Sequence, residues 1–310
     1  MPRRGPPATF GSSLMSRSRF ALFLLVALLA AGCGGDSADP STTAAAAPGS
    51  GTDVLSIAVD PADGTLLAGG GPAFYRLEPG AKTPETATGN IKTPKGSGTL
   101  TKDVVVRFTG DGTIIASGHS GEASLPAVLG LVKSTDEGET WEPISGLGEA
   151  DYHEIEIDGD RILALRYEDP GMIQISSDGG ATWDTREAPS VAAPIDIAVN
   201  PGNKDQWAVS TDQGTFISAN GGKSWRQWDT TFGPRIAWVK PDALYLAGRV
   251  GKVKVSPDAG RTWNDAGSIG AGPKELTFSA KGDLYASVAG GAIKRSADGG
   301  KTWTEVVKLG

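Results

Sequence analysis

Two histidines, His119 and His153, and a single cysteine, Cys33, are the scarce reactive side chains of this 310-residue chain. An imidazole titrates near neutral pH, so it can act as a general acid or base, a metal ligand or a hydrogen-bonding anchor. His153 stands two residues after Asp151 in Gly148-Glu149-Ala150-Asp151-Tyr152-His153-Glu154, and His119 precedes Glu122 in GHSGEASLP. A carboxylate near an imidazole fixes its tautomer and orientation. With Tyr167, Asp212, Arg235 and Arg249 these residues form a mixed-charge set. His119, Glu122, Asp151, His153, Tyr167, Asp212, Arg235 and Arg249 are therefore the candidates for catalysis or ligand binding. A metal centre needs three or four converging ligands. Two histidines and Asp151 reach that number, but their spacing is not diagnostic, and neither a metal nor another cofactor is expected. Exposed loops are polar in any protein, so the scaffold must decide whether these residues meet.

The scaffold is a repeat. Five eight-residue phrases, STDEGETW, SSDGGATW, SANGGKSW, SPDAGRTW and SADGGKTW, end at Trp141, Trp183, Trp225, Trp263 and Trp303. Their third position falls at Asp136, Asp178, Asn220, Asp258 and Asp298, in steps of 42, 42, 38 and 40 residues. A period near forty with short, turn-punctuated apolar runs marks a propeller. Ser-x-Asp-x-Gly suits a tight hairpin: the side-chain oxygens hydrogen-bond to the turn backbone, and glycine adopts positive φ freely. The following Thr-Trp starts a strand, with the indole expected to pack back over the turn. These five residues are accordingly read as structural and not as catalytic carboxylates; the amide of Asn220 keeps the acceptor.

The phrase resembles the Asp-box (BNR) repeat of sialidases and related propellers. That resemblance implies boxes on hairpins away from the catalytic face. The expected architecture is an all-β, six-bladed propeller over residues 52–310, with seven blades as the alternative. Each blade has four strands, A to D from the axis outward. In the last unit these are 274–279, 284–288, 291–295 and 302–308, the box forming the C–D turn. The first unit keeps only a decayed box around Pro79, and the first and last units should close directly, without a strand exchanged between the termini. Two stretches, 90–102 and 118–129, exceed the repeat and are read as insertions. In antiparallel blades the B–C loops and D–A connections share one face, around the mouth of the channel. Both insertions, both histidines and the remaining candidates fall on that face, where rigid scaffolds usually carry sites.

The N-terminal segment reads as a targeting signal. Arg17 and Arg19 precede an apolar run, 20–31, too short to span a bilayer. Leu28-Leu29-Ala30-Ala31-Gly32-Cys33 then resembles a bacterial lipoprotein cleavage box, which implies cutting before Cys33 and acylation of its sulfur. A lone cysteine in an exported chain fits a lipidated thiol. Residues 1–32 are thus expected to be a signal peptide, with Met15 an alternative start. Residues 33–51, rich in small residues and proline, form a flexible tether. An extracytoplasmic, membrane-anchored monomer follows. The net charge of −7 argues against a nucleic-acid partner.

The sialidase resemblance implies arginines on a substrate carboxylate, an Asp acid/base and a Tyr nucleophile assisted by Glu. The family's Arg-Ile-Pro motif has only a chance likeness here, Tyr75-Arg76-Leu77-Glu78-Pro79, and no arginine spacing marks a triad. The layout also resembles photosystem II assembly-factor propellers and exported bacterial proteins classed as glycosylhydrolase-like. The expected function is binding of a glycan or an envelope protein through the mouth face, with a glycoside hydrolase, possibly exo-sialidase-like, as the alternative.

Overall fold

Short apolar strands separated by glycine turns hydrogen-bond to their sequence neighbours first, because the turn fixes the register. The computed structural model describes residues 53–70, 73–189, 194–231 and 233–309, and the side chains of all of these except 73 and 101–103. The signal, Cys33 and the tether lie outside the described residues.

The first sheet consists of β1 (Ser56–Val59), β2 (Leu66–Gly70), β3 (Ala73–Leu77) and β4 (Glu85–Ala87). Then follow β5 (Asn90–Thr93), β6 (Gly96–Phe108), β7 (Ile114–Ser120), β8 (Leu131–Ser134) and β9 (Thr140–Ser145). The next sheet is β10 (Tyr152–Asp158), β11 (Arg161–Arg166), β12 (Met172–Ser176) and β13 (Asp184–Glu187). After it come β14 (Pro194–Asn200), β15 (Asn203–Thr211), β16 (Gly214–Ser218) and β17 (Arg226–Asp229). The fourth sheet is β18 (Arg235–Lys240), β19 (Ala243–Ala247), β20 (Lys252–Ser256) and β21 (Asn264–Ser268). The chain ends in β22 (Pro273–Phe278), β23 (Leu284–Val288), β24 (Ala292–Ser296) and β25 (Thr304–Lys308).

The architecture is all-β with a five-bladed propeller arrangement, which corrects the expectation of six or seven like blades. Five sheets are open, four-stranded and built from consecutive strands. The remaining unit, β5 to β9, is a closed five-stranded barrel. The stretch 90–102, read from sequence as a loop insertion, is instead β5 and the first half of β6. They pair antiparallel from Asn90↔Thr99 to Thr93↔Gly96, and β5 also pairs parallel with β9 through Ile91↔Trp141. The cause is burial: Ile91 and Leu100 pack with Phe74, Leu125 and Trp141 in one cluster, so a polar-looking segment is pulled in as strand by two apolar anchors.

The inner strands β1, β6, β10, β14, β18 and β22 neighbour one another in that order, and β22 returns to β1. Apolar clusters fill the seams. Ile57 and Leu66 pack with Ile293 and Val307 where the ring closes, and Val105 and Leu131 pack with Ile155 and Ile162. Four of the phrases form the hairpins between the third and fourth strands of open sheets, and the one ending at Trp141 joins β8 to β9 in the barrel. In this last one, Gly138 N–H donates to Ser134 Oγ (2.9 Å) and Thr140 N–H donates to Asp136 Oδ1 (2.8 Å). Asn220 accepts from Ser224 N–H (3.0 Å) and donates to Ser224 Oγ (2.9 Å). The indoles reach the preceding unit: Trp141 stacks on Phe74 at 5.2 Å, Trp183 donates to Ser145 Oγ, and Trp225 donates to Glu187 O.

Candidate functional site

Successive antiparallel strands reverse direction, so the loops after β7, β11, β15 and β19 lie opposite the phrase-bearing hairpins. On this mouth face Asp151 sits in the connection from β9 to β10. A bulge follows at once: Tyr152 pairs with Arg166 and Glu154 with Leu165, leaving His153 unpaired. A bulge re-aims side chains. Here it turns the half-exposed imidazole of His153 back, so that Nε2 lies 2.9 Å from Asp151 Oδ2. His119, at the end of β7, brings its own Nε2 to 3.1 Å from the same oxygen. Donation to a carboxylate places the proton on Nε2 of each ring. Asp151 is 6% exposed, and its Oδ1 is buried without a hydrogen bond.

Tyr167 covers this pair, its ring 4.9 Å from that of His153. Tyr167 N–H donates to Asp151 O (2.9 Å), which ties the β11–β12 loop to the Asp151 connection. Arg166 reinforces it by pairing with Glu168 (3.0 Å) and donating to Glu149 O. Burial acts to raise the Glu168 carboxyl, but backbone N–H groups and Arg166 outweigh it and hold the group below the usual range. Tyr167 is 68% exposed, and Val250, in the β19–β20 turn, is 75% exposed. These are the large apolar side chains that stand out in solvent among the described residues, and both occupy this face. Beside Val250 lies a cavity of about 300 Å³ lined by Leu246, Gly248, Arg249, Lys252 and Lys254.

The other candidates scatter. Glu122 accepts hydrogen bonds from Thr99 N–H and Thr99 Oγ (both 3.0 Å), which fastens its loop to β6. Asp212 and Arg249 are exposed on separate turns of the same face. Arg235 belongs to a different group, on the axis.

That axial group was invisible as a set in the sequence. Each inner strand supplies a polar residue, Ser56, Arg107, Glu154, Asp196, Arg235 and Glu275, and β10 adds a second, Glu156. Arg107 pairs with Glu154 and with Glu275 (3.4 Å), and donates to Ser56 Oγ (3.1 Å). Arg235 pairs with Glu154 (3.3 Å) and reaches Asp196 at 4.0 Å. The signal was a charged residue among the apolar ones of five inner strands, which carry other charged residues as well. It was hidden by bulges at His153, Ile195 and Lys274, each shifting the alternation just before the acid that faces the axis.

No protein-family model and no curated protein matches the chain. Solved structures do match. YCF48 bound to D1 peptide aligns at 15% identity over 77% of this chain and 76% of that one, with a TM-score of 0.51. YCF48 from Cyanidioschyzon merolae aligns at 18% over 84% and 88%, TM-score 0.50. An ancestral GH74 enzyme aligns at 14% over 83% of this chain and 38% of that chain, TM-score 0.53. At these identities the likeness shows the propeller fold alone.

Proposed function

We infer that the protein is an extracytoplasmic, lipid-anchored propeller that binds an envelope protein segment or glycan across its mouth face. The observation that carries this reading is the exposure of Tyr167 and Val250 on one face, beside a histidine pair locked by Asp151. Exposed aromatic and apolar side chains backed by a rigid polar frame are what binding surfaces use as anchors. The cavity beside Val250 is mixed in charge, with Lys252, the Asp229-paired Lys254 and Asp265 on its wall, so its apolar rim is the anchor and its polar wall suits a partner with hydrogen-bonding groups. A propeller of this fold bound to a peptide is a precedent for the reading. Anchoring through acylated Cys33 rests on the sequence alone.

A hydrolase fits the same face less well. A general acid must be protonated near neutral pH and reach its substrate. Burial pushes Glu154 and Glu156 up to about 7, but Glu154 is 2% exposed and engaged with guanidiniums. At the mouth, Glu168 is held ionised. The full-length protein in detergent should bind members of a peptide or glycan array, and Tyr167→Ala and Val250→Asp should each weaken that binding about tenfold or more. Turnover on a panel of aryl glycosides, abolished by Asp151→Ala, would replace this reading with the hydrolase.

A further inference from the structure

The axis carries more carboxyls than cations. Arg107 on β6 and Arg235 on β18 face Glu154 and Glu156 on β10, Asp196 on β14 and Glu275 on β22, with Ser56 on β1 completing the ring. Glu154, Asp196 and Glu275 are each 2% exposed. Backbone N–H groups support all four acids: Ile155 on Glu154 (3.2 Å), Val199 on Glu156 (3.1 Å), Ile236 on Asp196 (2.9 Å) and Leu276 on Glu275. Asp158, further along β10, faces Glu156 but is itself paired with Arg161 and Lys204. Arg107, Glu156, Asp196 and Glu275 enclose a chamber of only about 20 Å³ together with Trp238. Three fully buried carboxylates and the partly buried Glu156 against two guanidiniums would leave two uncompensated negative charges, an arrangement that buried groups avoid by keeping protons.

We propose that the axial cluster keeps at least one proton at neutral pH, shared among Glu154, Glu156, Asp196 and Glu275, and that this proton helps fasten β6, β10, β14, β18 and β22 into one ring. Burial raises all four carboxyls, against the opposing pull of Arg107 and Arg235, while a carboxyl in an unfolded chain titrates near 4. The folded state therefore holds the proton through the window between about 4 and 7, and the unfolded chain releases it. Stability is then highest at the acid end of that window and declines as pH rises through it. One excess proton shifts the folded-to-unfolded ratio about tenfold per pH unit.

The test is urea unfolding of the full-length protein in detergent at pH 5, 6, 7 and 8, with proton release on unfolding recorded in weak buffer. The expected result is a ratio that falls by up to about tenfold per unit between pH 5 and 7, with roughly one proton released per chain at pH 6. Glu156→Gln and Glu275→Gln should flatten the slope. A His119→Asn/His153→Asn double variant should keep it, which separates the axis from the imidazoles of the mouth. Stability that is flat or rising from pH 5 to 7, or a slope that vanishes in the histidine variant, overturns the proposal. Should the Gln variants not fold, proton release by the wild type and by the histidine variant still decides.

Discussion

Trp141 shows how a single side chain joins two units. It is 1% exposed, stacks on Phe74 of the neighbouring sheet and donates its indole N–H to Gly138 O. Trp141→Ala should lower unfolding stability by about 3–5 kcal/mol in chemical denaturation, the usual cost of deleting a buried aromatic. Glycines divide by surroundings. A Cβ at Gly260 (φ +86°) would fall 1.4 Å from the Trp228 ring, whereas one at Gly80 (φ +83°) meets nothing within 4 Å. Both alanine variants bear left-handed strain, so Gly260→Ala should cost about 1–3 kcal/mol more than Gly80→Ala, because only there must the packing shift. The two histidines stood out in the sequence by scarcity alone. That His119 and His153 share one oxygen of Asp151 was not legible there, because a bulge aims His153 and no periodicity announces a bulge.

At the scale of the element, the hairpins set the acid limit of stability. Hydrogen bonds from Thr182, side chain and backbone, lower the Asp178 carboxyl to about 2, and the same arrangement lowers Asp298 from Thr302. Asp136 and Asp258 are lowered as well, with Thr140 and Thr262 as their donors. Folded values below the unfolded value contribute stability above about pH 4, which is lost as pH falls through the folded values towards 2. Thermal unfolding should therefore show a falling Tm below pH 4. An Asp178→Asn/Asp298→Asn variant should show a shallower fall, since Asn220 already closes its hairpin with an amide. An unchanged acid limb in that variant would remove the hairpins as its source. These hairpins were readable from the sequence because the hydrogen bonds that close each turn, through its serine and its Asp or Asn side chain, are local. The β5–β6 hairpin was not, because TPKGSGTLT carries no repeat signal and becomes strand only when Ile91 and Leu100 find Phe74 and Trp141.

For the whole molecule, a period near forty announced sheets around an axis, and the inner strands do neighbour one another in a ring. The number of open blades was misjudged because repeat counting treats every unit as equal, while one unit closes on itself through the parallel β5–β9 pairing. The charge arrangement on the axis was equally hidden: Arg107, Glu154, Asp196, Arg235 and Glu275 come from five separate strands, and only closure makes them neighbours. If Cys33 carries acyl chains, Cys33→Ser should move the protein from the membrane fraction to the soluble one, since stable anchoring needs the acylated cysteine. Retention of that variant in the membrane would end the lipoprotein reading.

The binding face is tested most directly by comparing substitutions on the two faces of the ring against a ligand found by array. Tyr167→Ala and Val250→Asp on the mouth face, and Lys301→Glu on the opposite hairpin face, would each be titrated with that ligand at fixed salt. Affinity should fall about tenfold or more in the two mouth variants and stay unchanged in Lys301→Glu. Full affinity in both mouth variants, or loss only in Lys301→Glu, would contradict it.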